Sequence, residues 1–202
     1  MPRRFEQARR RDPYYRGAQR EGLRSRAAYK LGQLAEQFPI FAAGDRVLDL
    51  GAAPGGWSVV ARELVGASGE VVAVDVRRIE PIDGVRVVRG PVGSPAVAER
   101  LGPEPFDVVL SDMAPSISGA YATDHARSVE LVRAAWALAA ERLRPGGSFV
   151  AKLFDGDLRE GLEREIRPSF RAWHRTKPPA SRAGSSEIYV IGLGFDPGPK
   201  RS

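Results

Sequence analysis

The chain has no cysteine. That excludes disulfides and any thiolate-held metal. Only two histidines occur, His125 and His174. They lie far apart and show no ligand spacing, so no structural or catalytic metal is expected. No apolar run approaches the ~18 residues of a membrane span, and no secretory pattern opens the chain. A soluble, cytoplasmic protein without membrane contacts is the expectation. Lysine is also scarce: of the 31 basic residues, only Lys30, Lys152, Lys177 and Lys200 are lysines, leaving 27 arginines. What remains is ample for one domain. The 202 residues are 43% hydrophobic, enough for a substantial core.

The charge is unevenly placed. Residues 1–30 hold nine Arg and one Lys against Glu6, Asp12 and Glu21, a net of +7, while the whole chain carries +6. Residues 31–202 therefore sum to −1, and the basic character belongs to an N-terminal arm. Tyr14 and Tyr15 sit among its arginines. Such an arm reads as a contact to a nucleic-acid phosphate backbone; a solvated tail is the alternative. The expected organisation is an arm over 1–23, a domain over 24–195 and a flexible tail over 196–202. Nothing suggests an internal repeat, and a monomer is expected.

The rest alternates between strand and helix patterns. Residues 26–38 place Ala27, Leu31, Leu34, Ala35 and Phe38 on one helical face. Strands are expected at 46–50, 70–76, 85–89, 106–111 and 148–153. A long helix is expected over 125–143, stopped by Arg144-Pro-Gly-Gly147, and another over 157–166. Two last strands, 170–176 and 187–193, are close enough to pair as a hairpin. The βαβ order predicts an α/β, Rossmann-like fold: a mostly parallel seven-stranded sheet with helices on both faces and an antiparallel C-terminal hairpin at its edge.

The richest local signal is Arg46-Val-Leu-Asp-Leu-Gly-Ala-Ala-Pro-Gly-Gly-Trp57. It reads as a buried strand, a tight turn and a helix start. Gly51, Gly55 and Gly56 let backbone approach a ligand, and the helix amides beyond are unpaired. A plain strand-to-helix connection would need fewer glycines. The dinucleotide fingerprint G-x-G-x-x-G is not matched, because its second glycine is Ala53. The second strand ends in Asp75, where an acid that binds ribose hydroxyls usually stands. An adenosine cofactor without phosphates fits best, with S-adenosyl-L-methionine the natural candidate. Asp49, Asp75 and Asp112 would then surround a ligand bearing a positive sulfonium.

The surviving lysines carry a second clue. Where charge alone matters, this chain uses Arg. Arg stays charged, whereas a buried Lys can release and accept a proton. Lys200 lies in the tail and Lys177 precedes a Pro-Pro loop. Lys152 ends a central strand, where ligands bind in open α/β sheets, and Lys30 lies on the helix before the first strand. Survival by chance is the alternative for either one.

Five segments occur in order: Arg24-Ser-Arg-Ala-Ala-Tyr-Lys-Leu31, Gly51-Ala-Ala-Pro-Gly-Gly-Trp-Ser58, Ser111-Asp-Met-Ala-Pro115, Ala151-Lys-Leu-Phe154 and Ser181-Arg followed by Ser186-Glu-Ile-Tyr189. Together they resemble the FtsJ/RrmJ family of ribose 2′-O-methyltransferases over residues 12–193. The resemblance implies a Lys-Asp-Lys-Glu tetrad at Lys30, Asp112, Lys152 and Glu187. It also implies S-adenosylmethionine contacts at Gly55, Trp57, Asp75 and Asp112, to which the tight turn adds Gly51. It further implies an RNA substrate, a uridine of large-subunit ribosomal RNA. Transfer RNA is an alternative within the family; a non-catalytic RNA-binding assembly factor is one outside enzymology.

The tetrad suits the chemistry. A ribose 2′-OH is a poor acid and must lose its proton as it attacks a methyl carbon. Lys152 is the candidate base, with Asp112 and Glu187 fixing the ammonium groups. The sequence departs from the family pattern at two places. Pro91 stands where an acid usually holds the adenine amino group, and Ser116 replaces a frequent Asn. Another group or a backbone carbonyl is expected to serve the adenine.

Overall fold

The computed structural model describes residues 27–182 and 184–198. The elements run α1 (Ala27–Gln37), β1 (Arg46–Leu50), α2 (Gly56–Val65), β2 (Glu70–Asp75), β3 (Val85–Arg89), α3 (Pro95–Leu101), β4 (Phe106–Ser111), α4 (Tyr121–Arg142), β5 (Leu143–Phe154), α5 (Arg159–Ile166), a 3₁₀ turn (Arg167–Ser169), β6 (Phe170–Thr176) and β7 (Glu187–Phe195). The basic arm of residues 1–23, and residues 199–202 of the tail, lie outside the described residues.

The strands form one seven-stranded sheet in the order β3-β2-β1-β4-β5-β7-β6. β1 pairs in parallel with β2 and β4, β2 with β3, and β4 with β5. β1 and β2 are almost wholly buried, as expected of parallel strands covered by helices on both faces. Alternation along each strand splits the core in two. Leu48, Leu50, Val72, Val74, Val109 and Phe149 pack with α3, α4 and α5. Val47, Val71, Val108, Val150 and Tyr189 pack with Leu31 and Leu34 of α1 and Trp57 and Ala61 of α2.

The last two strands pair as the expected antiparallel hairpin at the end of the sheet, with β7 its inner strand. β7 runs antiparallel between β5 and β6, and β6 forms the edge. Their sequences account for this. Most of β7 is apolar and buried, which suits an interior strand, whereas β6 exposes Arg171, His174 and Arg175. Two boundaries differ from expectation. α4 begins four residues earlier, at Tyr121, and β5 begins at Leu143, which pairs with Phe106 across a register shift. α3 was not expected, although its start signal is present: the Ser94 side chain accepts from the Val97 amide and Pro95 is the first helical residue. Seven residues are too few to show a clear helical period.

The sheet order reverses between β1 and β4. Ligands of open α/β sheets bind at such a switch point, outside the carboxyl ends of the strands. Because β7 is antiparallel, its first residue, Glu187, reaches that same edge, opposite Phe154 of β5.

Candidate active site

Two clefts open along this edge. The first, about 690 Å³, lies at the switch point and is walled by Gly51 and Ala53 after β1, Asp75 to Arg77 after β2, Gly90 to Val92 after β3, and Asp112 to Ala114 after β4. The second, about 730 Å³, is walled by Lys30, Asp112, Lys152 and Glu187, together with Ile117 in the loop before α4, Tyr121 at the start of α4 and Arg182 in the loop before β7. Asp112 and Lys152 belong to both.

The tetrad is assembled from four elements. Lys152 and Tyr189 are register partners in β5 and β7. Their side chains therefore share the sheet face toward α1, and Glu187, two residues before Tyr189, shares it too. Lys30 on the buried side of α1 meets them. Its Nζ donates to Glu187 Oε2 at 2.7 Å and to the Tyr189 hydroxyl at 3.2 Å. The Tyr189 hydroxyl donates to Asp112 Oδ1 at 2.9 Å. Lys152 Nζ lies 3.0 Å from the same oxygen and donates to the Asp112 carbonyl at 2.6 Å. Both lysines are more than nine-tenths buried. Burial works to raise the Glu187 carboxyl, but the charge and hydrogen bond of Lys30, with Lys152 and Ser185, hold it below the usual range.

Tyr189 was not among the expected site residues, yet it bridges the two halves of the tetrad. Its position two residues from Glu187, within the same sequence segment, was the available signal. Trp57 packs against it, with ring centroids 5.7 Å apart, and donates its indole N–H to Ala27 O at 2.8 Å. The indole thus ties α2 to the start of α1, the helix that presents Lys30.

At the switch point, Gly51 has φ 72°, and a Cβ there would fall inside contact with Met113. Gly55 caps α2 at φ 105°. Asp75 is buried at the end of β2. Its Oδ2 accepts from the Ala53 amide and its Oδ1 from the Arg77 amide, both at 2.8 Å. The Arg77 guanidinium lies over it at 3.3 Å. Burial raises this carboxyl, but these donors outweigh it and leave it below its ordinary value. Pro91 lines the cleft, and its carbonyl accepts from the Ser94 amide at 3.2 Å.

Asp49 faces the apolar layer beneath α2. Ser58 Oγ donates to its Oδ2 at 2.6 Å, and its Oδ1 has no partner among the described residues. Complete burial, with Asp112 and Asp75 nearby and only Ser58 opposing, pushes its carboxyl up to about 7. It borders a void of about 20 Å³ shared with Gly51, Ala53, Trp57 and Asp112. Asp75 and Asp112 wall the glycine-lined cleft, and the unmet Asp49 Oδ1 borders the small void beside it, an arrangement that suits a cationic ligand carrying a ribose diol.

The FtsJ-like methyltransferase family model matches residues 23–195. The chain belongs to that family. A ribosomal RNA large subunit methyltransferase E of Methanothrix thermoacetophila is 48% identical over 194 residues, covering 95% of this chain and 75% of the relative. Another protein of that name, from Archaeoglobus fulgidus, is 47% identical over 189 residues and is covered over 97% of its length. A crystal structure of a ribosomal RNA methyltransferase from Plasmodium falciparum superposes with a TM-score of 0.78 at 27% identity, covering 85% of this chain and 98% of that one. This methyltransferase therefore has its expected fold, and Lys30, Asp112, Lys152 and Glu187 meet in one cleft. Among the described residues no helix is long and apolar enough to cross a membrane.

Proposed function

We propose that this methyltransferase acts on a ribose 2′-hydroxyl of RNA, a uridine of large-subunit ribosomal RNA, with S-adenosylmethionine as donor. One observation carries the reading: Asp112 and Lys152 wall both clefts, so a donor in one and a nucleotide in the other would meet at a buried amine. The names of the relatives support the ribosomal RNA target.

In this reading Asp75 receives the cofactor ribose, Gly51 and Ala53 supply close backbone, and Asp112 faces its cationic part, with Asp49 buried behind the turn. When bound, S-adenosylmethionine supplies a methyl carbon on a positively charged sulfur, which leaves as a neutral thioether. The chain does the rest. Lys152 Nζ accepts the 2′-hydroxyl proton as the new O–C bond forms, and Asp112 holds that ammonium. Lys30, fixed by Glu187 and Tyr189, keeps a second positive charge beside the developing alkoxide. Much of the rate comes from orientation, since the displacement needs its three reacting atoms in line. The acceptor is identified by incubating the purified protein with S-adenosylmethionine and undermethylated large-subunit rRNA, then mapping 2′-O-methyl groups. Methylation at one ribose supports the reading; base methylation, or none on any RNA, refutes it.

A further inference from the structure

Most exposed side chains around the tetrad cleft are polar, but two are not. Ile117 is 68% exposed and Tyr121 is 60% exposed, and both line the cleft. Within this largely polar lining they are the exposed apolar faces, and an unstacked base is a group that seeks an aromatic face. These two are also held in place. The Tyr121 hydroxyl donates to Asp155 O at 2.6 Å. Its ring lies parallel to His125, with centroids 6.1 Å apart and planes 12° apart.

His125 is itself immobilised. It is buried, its Nδ1 is 2.9 Å from Phe154 O, and its Nε2 accepts from the Leu158 amide at 3.0 Å. The bond from the amide requires an unprotonated Nε2, so Nδ1 carries the hydrogen. Gly156 packs so closely on the imidazole that a Cβ there would overlap it. The loop carrying Ile117 is stapled by Asp124. Its Oδ1 accepts from the Ser118 amide at 2.9 Å and Ser118 Oγ at 2.7 Å, and its Oδ2 from the Gly119 amide at 3.1 Å. Two interior polar residues therefore support two exposed apolar ones, as in a preorganised binding surface.

The geometry points to Tyr121, flanked by Ile117, as the platform on which the base of the methylated nucleotide stacks. The inference rests on reading this cleft as the RNA site. The 2′-hydroxyl must lie at Lys152, and the base attached to the same ribose must then leave its own stack and find another apolar face nearby. RNA enzymes and RNA-binding modules stack unstacked bases on aromatic rings. Tyr121 is thus a positioning residue, and the proton transfer is left to the tetrad.

The test uses Tyr121→Ala, Tyr121→Phe and Tyr121→Trp of the full chain with the rRNA substrate. It also uses that RNA carrying an abasic ribose at the methylated position. Tyr121→Ala should raise the KM for RNA about 5- to 100-fold, the range for one lost base–aromatic stack. The change in kcat should be smaller and the affinity for S-adenosylhomocysteine unchanged. Tyr121→Phe keeps the ring but not the bond to Asp155 and should stay within about threefold of wild type; Tyr121→Trp should also retain activity. The abasic RNA should weaken binding to the wild type but not further weaken binding to Tyr121→Ala. If Phe is as poor as Ala, Tyr121 only anchors the loop at Asp155 and the inference is overturned. Equal abasic losses in wild type and Tyr121→Ala overturn it too. No methyl transfer by the wild type would instead remove the RNA reading itself.

Discussion

Asp49→Asn should change the pH dependence of stability while leaving the fold intact. The native carboxyl titrates near 7, against 3.8 for an ordinary Asp. Between those values the unfolded chain has released the proton that the native protein keeps. The unfolded state binds fewer protons, so stability falls as pH rises through this window and levels off above it. Each pH unit costs about 1.4 kcal/mol, so the loss from about pH 4.5 to pH 7 is roughly 3 kcal/mol. Asn has no such titration, nearly the same shape, and a side-chain oxygen that can accept from Ser58 Oγ. The two proteins should be close in stability near pH 4.5, and Asp49→Asn should be the more stable by about 3 kcal/mol at pH 8. Glu187 and Asp75 titrate below their ordinary values. Each stabilises above its unfolded pKa and loses that contribution as pH falls, but equally in both proteins, so the terms cancel in the difference. Urea unfolding of the two proteins across this range measures it. Parallel curves would mean that Asp49 ionises normally in its buried site, and the reasoning would fail.

Tyr189→Phe removes the hydroxyl that joins Lys30 to Asp112 and should lower kcat by about 10- to 100-fold, the scale of a hydrogen bond to charged groups, with little change in cofactor affinity; an unchanged kcat would make the bridge incidental. Asp75→Ala should weaken S-adenosylmethionine binding by ~1–3 kcal/mol, and equal affinities by calorimetry would put the cofactor elsewhere. Deleting residues 1–20, which contain Arg3, Arg4, Arg9, Arg10, Arg11, Arg16 and Arg20, should weaken RNA binding and flatten its salt dependence by removing counterion release. The same salt slope in the shortened protein would assign the arm to another task.

The layout of the site could be read from the sequence because its parts follow strand ends. Buried runs such as Val47 to Leu50 and Glu70 to Asp75 mark central parallel strands, and the residues just beyond them must meet at the switch point. Lys152 stands out in the sequence as one of four lysines among 27 arginines, and in the proposed mechanism a guanidinium could not take its place as base. What could not be read depends on pairing across the sheet. That β7 enters between β5 and β6 follows from which strand can be buried on both faces, a competition no local pattern states. That the Tyr189 hydroxyl reaches Asp112 follows from the same pairing, because it depends on β7 lying beside β5. The supports for Ile117 and Tyr121 were hidden for a similar reason. No local pattern around Asp124 and His125 states what they hold; only the folded loops show it.

The central claim is that Lys152 removes the 2′-hydroxyl proton, and Lys152→Arg tests it most directly. Arg keeps the positive charge beside Asp112 but does not deprotonate in the working range. Single-turnover methyl transfer to large-subunit rRNA should fall by roughly 10²-fold or more, the scale of a missing general base. S-adenosylhomocysteine and RNA should bind nearly as to the wild type. Near-normal transfer by Lys152→Arg would contradict the account.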